Sequence, residues 1–306
     1  MSDTSAIVHA AYRLKTVVPA FNIPYLPMME PVTRALVDAK AFGLIQVARL
    51  EWEKFESRSL EAIHEEYQKY KNEQFMRLHL DHVPVIDEDD LRVDYMSIIK
   101  RALAAGYQSV MVDGSRLDLQ GNIDATRMVV AMAHGLGVPV EAELGSVLGH
   151  EAGPLPPYEE LLKSGLGFTS ADDAARFVAE TKVDWLSVSI GNIHGAISKA
   201  SRNQAKLEAR LDIPRLSEIS TRVGIPLVLH GGSGIKLSFI HEGIQNGIAK
   251  INIGTAIRKP YEEAIDRKSN DGLEAVYRAT REELANLKLE GTAARLLGAT
   301  GVGRSS

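Results

Sequence analysis

SADDAARFVAETK (170–182) runs almost directly into WLSVSI (185–190), and this pair decides how the rest of the chain reads. The first piece places apolar residues at helical spacing, the mark of a helix with one buried face. The second is a short, nearly continuous apolar run, as a parallel strand covered on both faces requires. Outward from this pair, strand-like runs recur as VVPAF (17–21), FGLIQVA (42–48), RLHLDH (77–82), SVMVDG (109–114), VPVEAEL (138–144), PLVLHG (226–231) and AKINIGT (249–255). Amphipathic segments stand between them, among them LPMMEPVTRALVDAKA (26–41), EDDLRVDYMSIIKRALAAG (88–106) and NIDATRMVVAMAHGLG (122–137). Gly106, Gly135 and Gly247 close helices shortly before the next strand. Eight strand and helix units in one chain point to the α/β class, and to a closed (β/α)8 TIM barrel rather than an open doubly wound sheet. The expectation is one barrel domain over residues 1–306 with a C-terminal helical extension at about 259–300. An early helix, about Ala6–Leu14, is expected to close the bottom of the barrel. No internal repeat, linker or low-complexity segment interrupts the pattern. The stretch from Leu148 to Phe168, rich in Gly and Pro, reads as a long loop of the kind that carries function.

Composition narrows the function classes. With 306 residues, 45% hydrophobic and 25% charged, the chain can bury a large core. A net charge of −5 gives no reason to expect a nucleic acid or an acidic membrane as partner. An anionic substrate would need a local positive field. There are no cysteines, so a metal must be held by His, Asp, Glu, carbonyl or water. The N-terminus, MSDTSAIVHAAYRLK, has no signal-like apolar run and no segment has the length of a membrane span, so the expected location is the cytoplasm.

Polar residues gather where the strands end. Asn22 follows the first strand and Arg49 the second; Asp81 and His82 end the third and Asp113 the fourth. Glu143 lies near the end of the fifth, His194 follows the sixth, His230 ends the seventh, and Asn252 and Thr255 belong to the eighth. In a (β/α)8 barrel the C-terminal strand ends build the active site. Polar groups buried at random would each need a partner. Three histidines on three strands suit Zn²⁺ with one open position, and Co²⁺, Mn²⁺ and Fe²⁺ accept the same donors. HGGSGI (230–235) follows the seventh strand, and NIGT (252–255) lies at the eighth. There Gly231, Gly232 and Ser233 offer close backbone N–H groups and a hydroxyl, at the usual phosphate position of this fold. Lys236 and Arg258 could add charge, with Lys236 equally readable as a solvated helix residue.

Taken together, AFN (20–22), LHLDH (78–82), SVMVDGS (109–115), VEAELGSVLGHE (140–151), GFTSADDAARFVAETKVDWLSVSIGNIHG (167–195), LVLHGGSGI (227–235) and KINIGTAIR (250–258) resemble the class II, metal-dependent ketose-bisphosphate aldolases. That family includes fructose-bisphosphate and tagatose-bisphosphate aldolases, and the resemblance spans almost the whole chain. It implies His82, His194 and His230 as metal ligands, and Glu143 and Asp113 as an alternative or second metal site. It implies Asp81 as the carboxylate exchanging a proton with the substrate C4 hydroxyl, and Glu151, on a mobile loop, as the residue handling the C1 proton. Gly195, Gly231, Ser233, Asn252 and Thr255 match the dihydroxyacetone-phosphate contacts, and Arg258 matches a distal-phosphate arginine of some members. The implied reaction is reversible cleavage of a ketose (bis)phosphate such as fructose 1,6-bisphosphate to dihydroxyacetone phosphate and an aldehyde. The implied cofactors are Zn²⁺ and a monovalent cation, the implied partner is a sugar phosphate, and the implied assembly is a homo-oligomer, dimer or tetramer. A related enzyme for tagatose 1,6-bisphosphate or a phosphorylated deoxy-sugar acid, a non-catalytic barrel and a barrel metal hydrolase are the other readings.

Several positions depart from the family pattern. Val83 and Pro84 stand where a small residue usually follows LDH, and His150 replaces a common acidic residue. Gly254 and Ala256 replace acidic residues of some fructose-type members. The loop expected after the second strand reads Arg49-Leu50-Glu51-Trp52-Glu53-Lys54, so Arg49 is a candidate for binding a substrate anion and Trp52 for narrowing the pocket. These changes fall on the aldehyde side, and Arg49, Trp52 and Val83 are expected to tune acceptor choice.

Overall fold

A computed structural model describes residues 3–145, 158–192, 209–232 and 234–300. Eight parallel strands close on themselves: β1 Val18–Asn22, β2 Gly43–Ala48, β3 Met76–Asp81, β4 Ser109–Val112, β5 Val140–Leu144, β6 Trp185–Val188, β7 Leu227–Leu229 and β8 Ile248–Ile253. The seam is made by β1 on β8, with Ala20 opposite Asn252. The architecture is therefore the expected (β/α)8 barrel, with helices covering its outer face.

The helices form where the sequence supplies both an apolar stripe and a starting cap. Ser170 opens Ala171–Thr181 by accepting from the Asp173 N–H, and Asp118 opens Leu119–His134 by accepting from Gly121. The helix Tyr95–Ala105 ends at Gly106, whose φ of 101° a side chain would resist. No helix among the described residues is long and apolar enough to cross a membrane.

Alternation along the strands divides the core in two. Phe21, Ile45, Leu78, Leu80, Val110, Val112, Ala142, Leu186 and Ile251 point outward into the apolar layer beneath the helices. Inside, the lower end is apolar: Val18, Ala20, Leu44, Trp185 and Val228 meet Ile7, Val8, Ala10 and Ala11 of the helix Asp3–Arg13. That helix plugs the bottom, as the sequence suggested. Above this layer the interior turns polar. Gln46 sits opposite His79, His79 opposite Ser109, and Glu143 opposite Ser187.

Three details correct the sequence reading. β3, β4, β6, β7 and β8 each stop one or two residues before the apolar run does, so His82, Asp113 and His230 lie just past the ladder. The expected loop after β2 is a helix, Arg49–Lys54, because Glu51 reaches back to accept from the Ala48 N–H at 2.8 Å and supplies the cap that Ala48 lacks. Within the stretch Leu148–Phe168, expected as a loop, residues Tyr158–Ser164 form a helix.

Candidate metal centre and its buried ionic floor

Asp81, the last residue of β3, is held by three side-chain amides. Asn22 Nδ2 donates to its Oδ2 at 3.0 Å, Gln46 Nε2 donates to the same oxygen at 3.1 Å, and Asn252 Nδ2 donates to Oδ1 at 3.0 Å. Gln46 Nε2 also donates to Asn22 Oδ1 at 2.8 Å, which fixes the orientation of both amides. Burial alone would raise the Asp81 carboxyl, but His82, Lys250 and His230 bring it down to about 2. Asp81 is a fixed, ionised carboxylate at neutral pH.

His82 follows with φ of 21°, a conformation that swings its ring off the strand line and over the barrel mouth. Its Nδ1 lies 3.1 Å from Asp113 Oδ2, and Asp113 Oδ1 accepts from Ser115 N–H at 3.0 Å and Ser115 Oγ at 2.6 Å. Burial opposes the Asp113 charge, but the contacts from His82 and Ser115 bring its carboxyl down to about 2. Ionised, Asp113 only accepts, so the proton stands on His82 Nδ1. His230 is arranged alike: its Nε2 lies 2.8 Å from Glu141 Oε1. Burial works against the Glu141 charge as well, yet Lys250 and His230 hold it well below the usual carboxylate range.

With both outer nitrogens so committed, His82 Nε2 and His230 Nδ1 face each other at 2.8 Å. Two imidazole lone pairs do not rest at that separation unless a proton or a cation lies between them. The surrounding field favours positive charge there: burial would lower His82, but Asp81, Asp113 and Glu143 together raise it to about 10. Glu143 Oε2 stands 3.2 Å from His230 Nδ1, and burial followed by the Asp113 charge pushes its carboxyl up. Asp81, His82 and His230 offer ligand atoms close enough to share one ion, as do His82, Asp113 and Glu143. Imidazoles that give their far N–H to a carboxylate are the usual form of metal-binding histidine, so these residues fit a divalent ion.

Around this centre, Asn192 Nδ2 donates to the His230 carbonyl at 2.9 Å, and Asn122 Nδ2 to the Glu143 carbonyl at 2.9 Å. Gly231, at φ 64°, and Gly232 turn the chain after β7. Thr255 begins the helix Thr255–Asp266 after β8, so the glycine turn and a helix N-terminus share the rim. Arg258 Nη1 is paired with Glu262 Oε1 at 2.7 Å, and its guanidinium lies over the Phe55 ring. Arg49 is 3.5 Å from Asp87 and 4.0 Å from Glu53. Val83 is fully buried in the outer apolar layer, and Trp52 packs against that layer. His194, Gly195, Glu151, Ser233 and His150 lie outside the described residues.

Beneath the centre lies a set that the sequence reading passed over. Lys250, Glu141 and His79 are fully buried inside the barrel. Glu141 Oε2 accepts from Trp185 Nε1 at 2.7 Å and pairs with Lys250 Nζ at 2.9 Å, and Lys250 Nζ also donates to Asn252 Oδ1 at 2.6 Å. His79 Nδ1 meets Ser109 Oγ at 2.8 Å, and burial reinforced by Lys250 lowers its ring to about 3, so it is neutral. Glu51 was also passed over: burial, partly offset by the Ala48 N–H, raises it to about 8. The signal was present for the floor. In RLHLDH, VEAEL and AKINI every second residue is polar, and in a strand whose outer face is covered by a helix those residues must point into the barrel.

The chain is similar to several known proteins along most of its length. The 6-phospho-5-dehydro-2-deoxy-D-gluconate aldolase of Halalkalibacterium halodurans is 37% identical over 188 residues, which covers 61% of this chain and 56% of that protein. The matched region thus spans about half the length of that relative. The uncharacterized protein YdjI of Escherichia coli (strain K12) is 38% identical over 208 residues, 68% of this chain and 69% of the relative. The crystal structure of the YdjI aldolase from Escherichia coli K12 superposes with a TM-score of 0.73 at 27% identity, covering 96% of this chain and 99% of that one. A family model for class-II fructose-bisphosphate aldolase matches residues 2–300, and the chain belongs to that family.

Proposed function

We propose that this protein is a metal-dependent aldolase that reversibly cleaves a phosphorylated ketose, such as fructose 1,6-bisphosphate, into dihydroxyacetone phosphate and an aldehyde. The observation that carries the reading is a carboxylate, Asp81, pinned by three amides beside two imidazoles whose inner nitrogens converge at 2.8 Å. His82 and His230, with His194 from the family pattern, would hold the ion, Zn²⁺ being the best match to imidazole donors. Glu143 is close enough to His230 to join them, whereas Asp113 acts as the outer carboxylate that orients His82. A bound divalent ion supplies Lewis-acid stabilisation of the negative charge left on the ketose half when the C3–C4 bond breaks.

Asp81 takes the proton from the C4 hydroxyl during cleavage and returns it during condensation. The Asn22, Gln46 and Asn252 amides keep its two oxygens in place for both directions, so no reorganisation is needed at the moment of transfer. Gly231, Gly232 and the helix beginning at Thr255 offer backbone N–H groups to the substrate phosphate. Glu151 is the proposed proton source for C1, by its place in the family motif.

A second substrate reading, a phosphorylated deoxy-sugar acid, is favoured by one feature of the acceptor side. Arg258 already has a carboxylate partner in Glu262 at 2.7 Å, which leaves less positive charge for a second phosphate. The name of the Halalkalibacterium halodurans relative points the same way. A coupled assay for dihydroxyacetone phosphate across both sugar classes, with and without chelator, tests the proposal. Chelator-sensitive release from one class supports it, and chelator-insensitive release contradicts the metal-dependent reading. No release from any candidate favours a non-catalytic barrel.

A further inference from the structure

The proposed reaction gives no role to the fully buried Glu141 and Lys250, yet each touches a side chain that it uses. Glu141 receives three donors on two oxygens: His230 Nε2 at 2.8 Å on Oε1, and Trp185 Nε1 at 2.7 Å and Lys250 Nζ at 2.9 Å on Oε2. His79, Asp81 and Glu141 lie close enough together to hold a metal, but the cation of that cluster is the Lys250 ammonium. We propose that Glu141 is a positioning residue that fixes the tautomer of His230, and that its partner Lys250 fixes the amide of Asn252, so that one buried ion pair orients both a metal-binding imidazole and Asp81. This inference rests on the reading that His82 and His230 hold a divalent ion.

The tautomer is decided by donors and acceptors. A neutral imidazole has one N–H, and a metal needs the other nitrogen bare. A carboxylate has no proton to give, and Glu141 at 2.8 Å from Nε2 stands closer than Glu143 at 3.2 Å from Nδ1, so Glu141 claims the N–H on Nε2 and leaves Nδ1, the nitrogen facing both His82 and Glu143, as the lone pair. Any side chain that could donate at this point would reverse the choice. The second arm works alike. The oxygen and nitrogen of an Asn amide can exchange places by a flip. Lys250 Nζ at 2.6 Å from Asn252 Oδ1 decides which end faces it, and therefore turns Nδ2 toward Asp81 Oδ1 at 3.0 Å.

Glu141→Gln is an isosteric change with a sharp consequence. The new amide offers an acceptor oxygen and a donor N–H₂ where three donors converge on two acceptor oxygens. Turning its oxygen to His230 would set its N–H₂ against both the Lys250 ammonium and the Trp185 indole. The favourable orientation gives the oxygen to those two and points the N–H₂ at His230 Nε2. His230 must then accept on Nε2 and carry its proton on Nδ1, against the incoming metal.

The test uses the full chain, metal-free and labelled with ¹⁵N-histidine, and reads the tautomer of His230 by long-range ¹H–¹⁵N correlation. The wild type is expected as the Nε2–H form, a readout that does not depend on any variant folding. Glu141→Gln is expected as the Nδ1–H form, with near-ultraviolet circular dichroism confirming its fold. By chelator competition, its cobalt(II) dissociation constant is expected to rise about 10- to 100-fold. An Nδ1–H form in the wild type, or a folded Glu141→Gln that binds cobalt within about twofold of the wild type, overturns the inference. A wild type that binds no cobalt overturns the metal reading instead, and the tautomer spectrum still decides the role of Glu141.

Discussion

Replacing Lys250 with methionine tests the ionic floor through stability. The substitution keeps an unbranched chain of similar length and removes only the ammonium. In the native protein that ammonium is fully buried, 2.9 Å from an equally buried Glu141 oxygen and 2.6 Å from Asn252 Oδ1. Breaking a buried pair by deleting one partner costs about 3–5 kcal/mol, because the remaining charge is left in a medium that solvates it poorly. At roughly 2 °C per kcal/mol for a chain of this size, the melting temperature should fall by about 6–10 °C at pH 7.5. The double variant Glu141→Gln/Lys250→Met, which buries no unpaired charge, should recover most of that loss. The pH dependence has a fixed sign. Glu141 is held below its usual 4.5, so its pairing contributes stability that is present above 4.5 and is lost as the pH falls toward its depressed native value. In Lys250→Met the orphaned carboxyl instead gains by protonation. The gap between wild type and variant should therefore be widest at neutral pH and narrow in acid. Differential scanning calorimetry of the three proteins across pH decides it. A Lys250→Met melting point within about 2 °C of the wild type, or a double variant no better than the single, would show that Lys250 is not the counter-ion of Glu141.

Other perturbations probe the rest of the site. Asp81→Asn should lower kcat for cleavage by about 100- to 10,000-fold with bound metal unchanged, since an amide cannot take up the C4 proton; steady-state kinetics with metal analysis would expose a smaller effect. Gln46→Met removes the hydrogen bonds from its amide to the ionised Asp81 and to Asn22 and should cost at least about 1.5–3 kcal/mol in urea denaturation, and a loss below about 0.5 kcal/mol would count against the three-amide cradle. Glu51, raised to about 8 in the folded protein, contributes stability that is full below its ordinary 4.5 and is lost as the pH rises through 8. Glu51→Gln keeps an acceptor for the Ala48 N–H but cannot ionise, so its melting temperature should fall less than that of the wild type between pH 5 and 8.5. Parallel profiles for the two proteins would refute a buried, titrating Glu51.

The barrel was legible because parallel strands buried on both faces write themselves as apolar runs, and the separating helices carry their own caps, as Ser170 and Asp118 do. The rim was legible because His82, Asp113 and His230 sit where apolar runs give way to polar residues. The floor was harder. Glu141 and Lys250 lie inside runs that read as core, and only their period-two alternation marks them as facing the barrel axis. Glu51 stayed hidden for another reason. RLEWEK is rich in helix formers, but the start of a helix is hard to see there because Ala48 has no side-chain acceptor and the cap comes from Glu51, three residues on. Arg49 and Arg258 are candidates from the sequence for binding a substrate anion. Each has carboxylate neighbours, Asp87 and Glu262, from a β3-side loop and from its own helix, and spacing alone does not show which of these a guanidinium will meet.

The most direct test of the account is a crystal structure of the zinc-soaked protein with anomalous data at the zinc edge. One strong peak bonded to both His82 Nε2 and His230 Nδ1 is expected, with the two rings parted from their 2.8 Å contact to admit it. Metal-replete crystals in which those nitrogens remain in contact and no peak lies between them would contradict it.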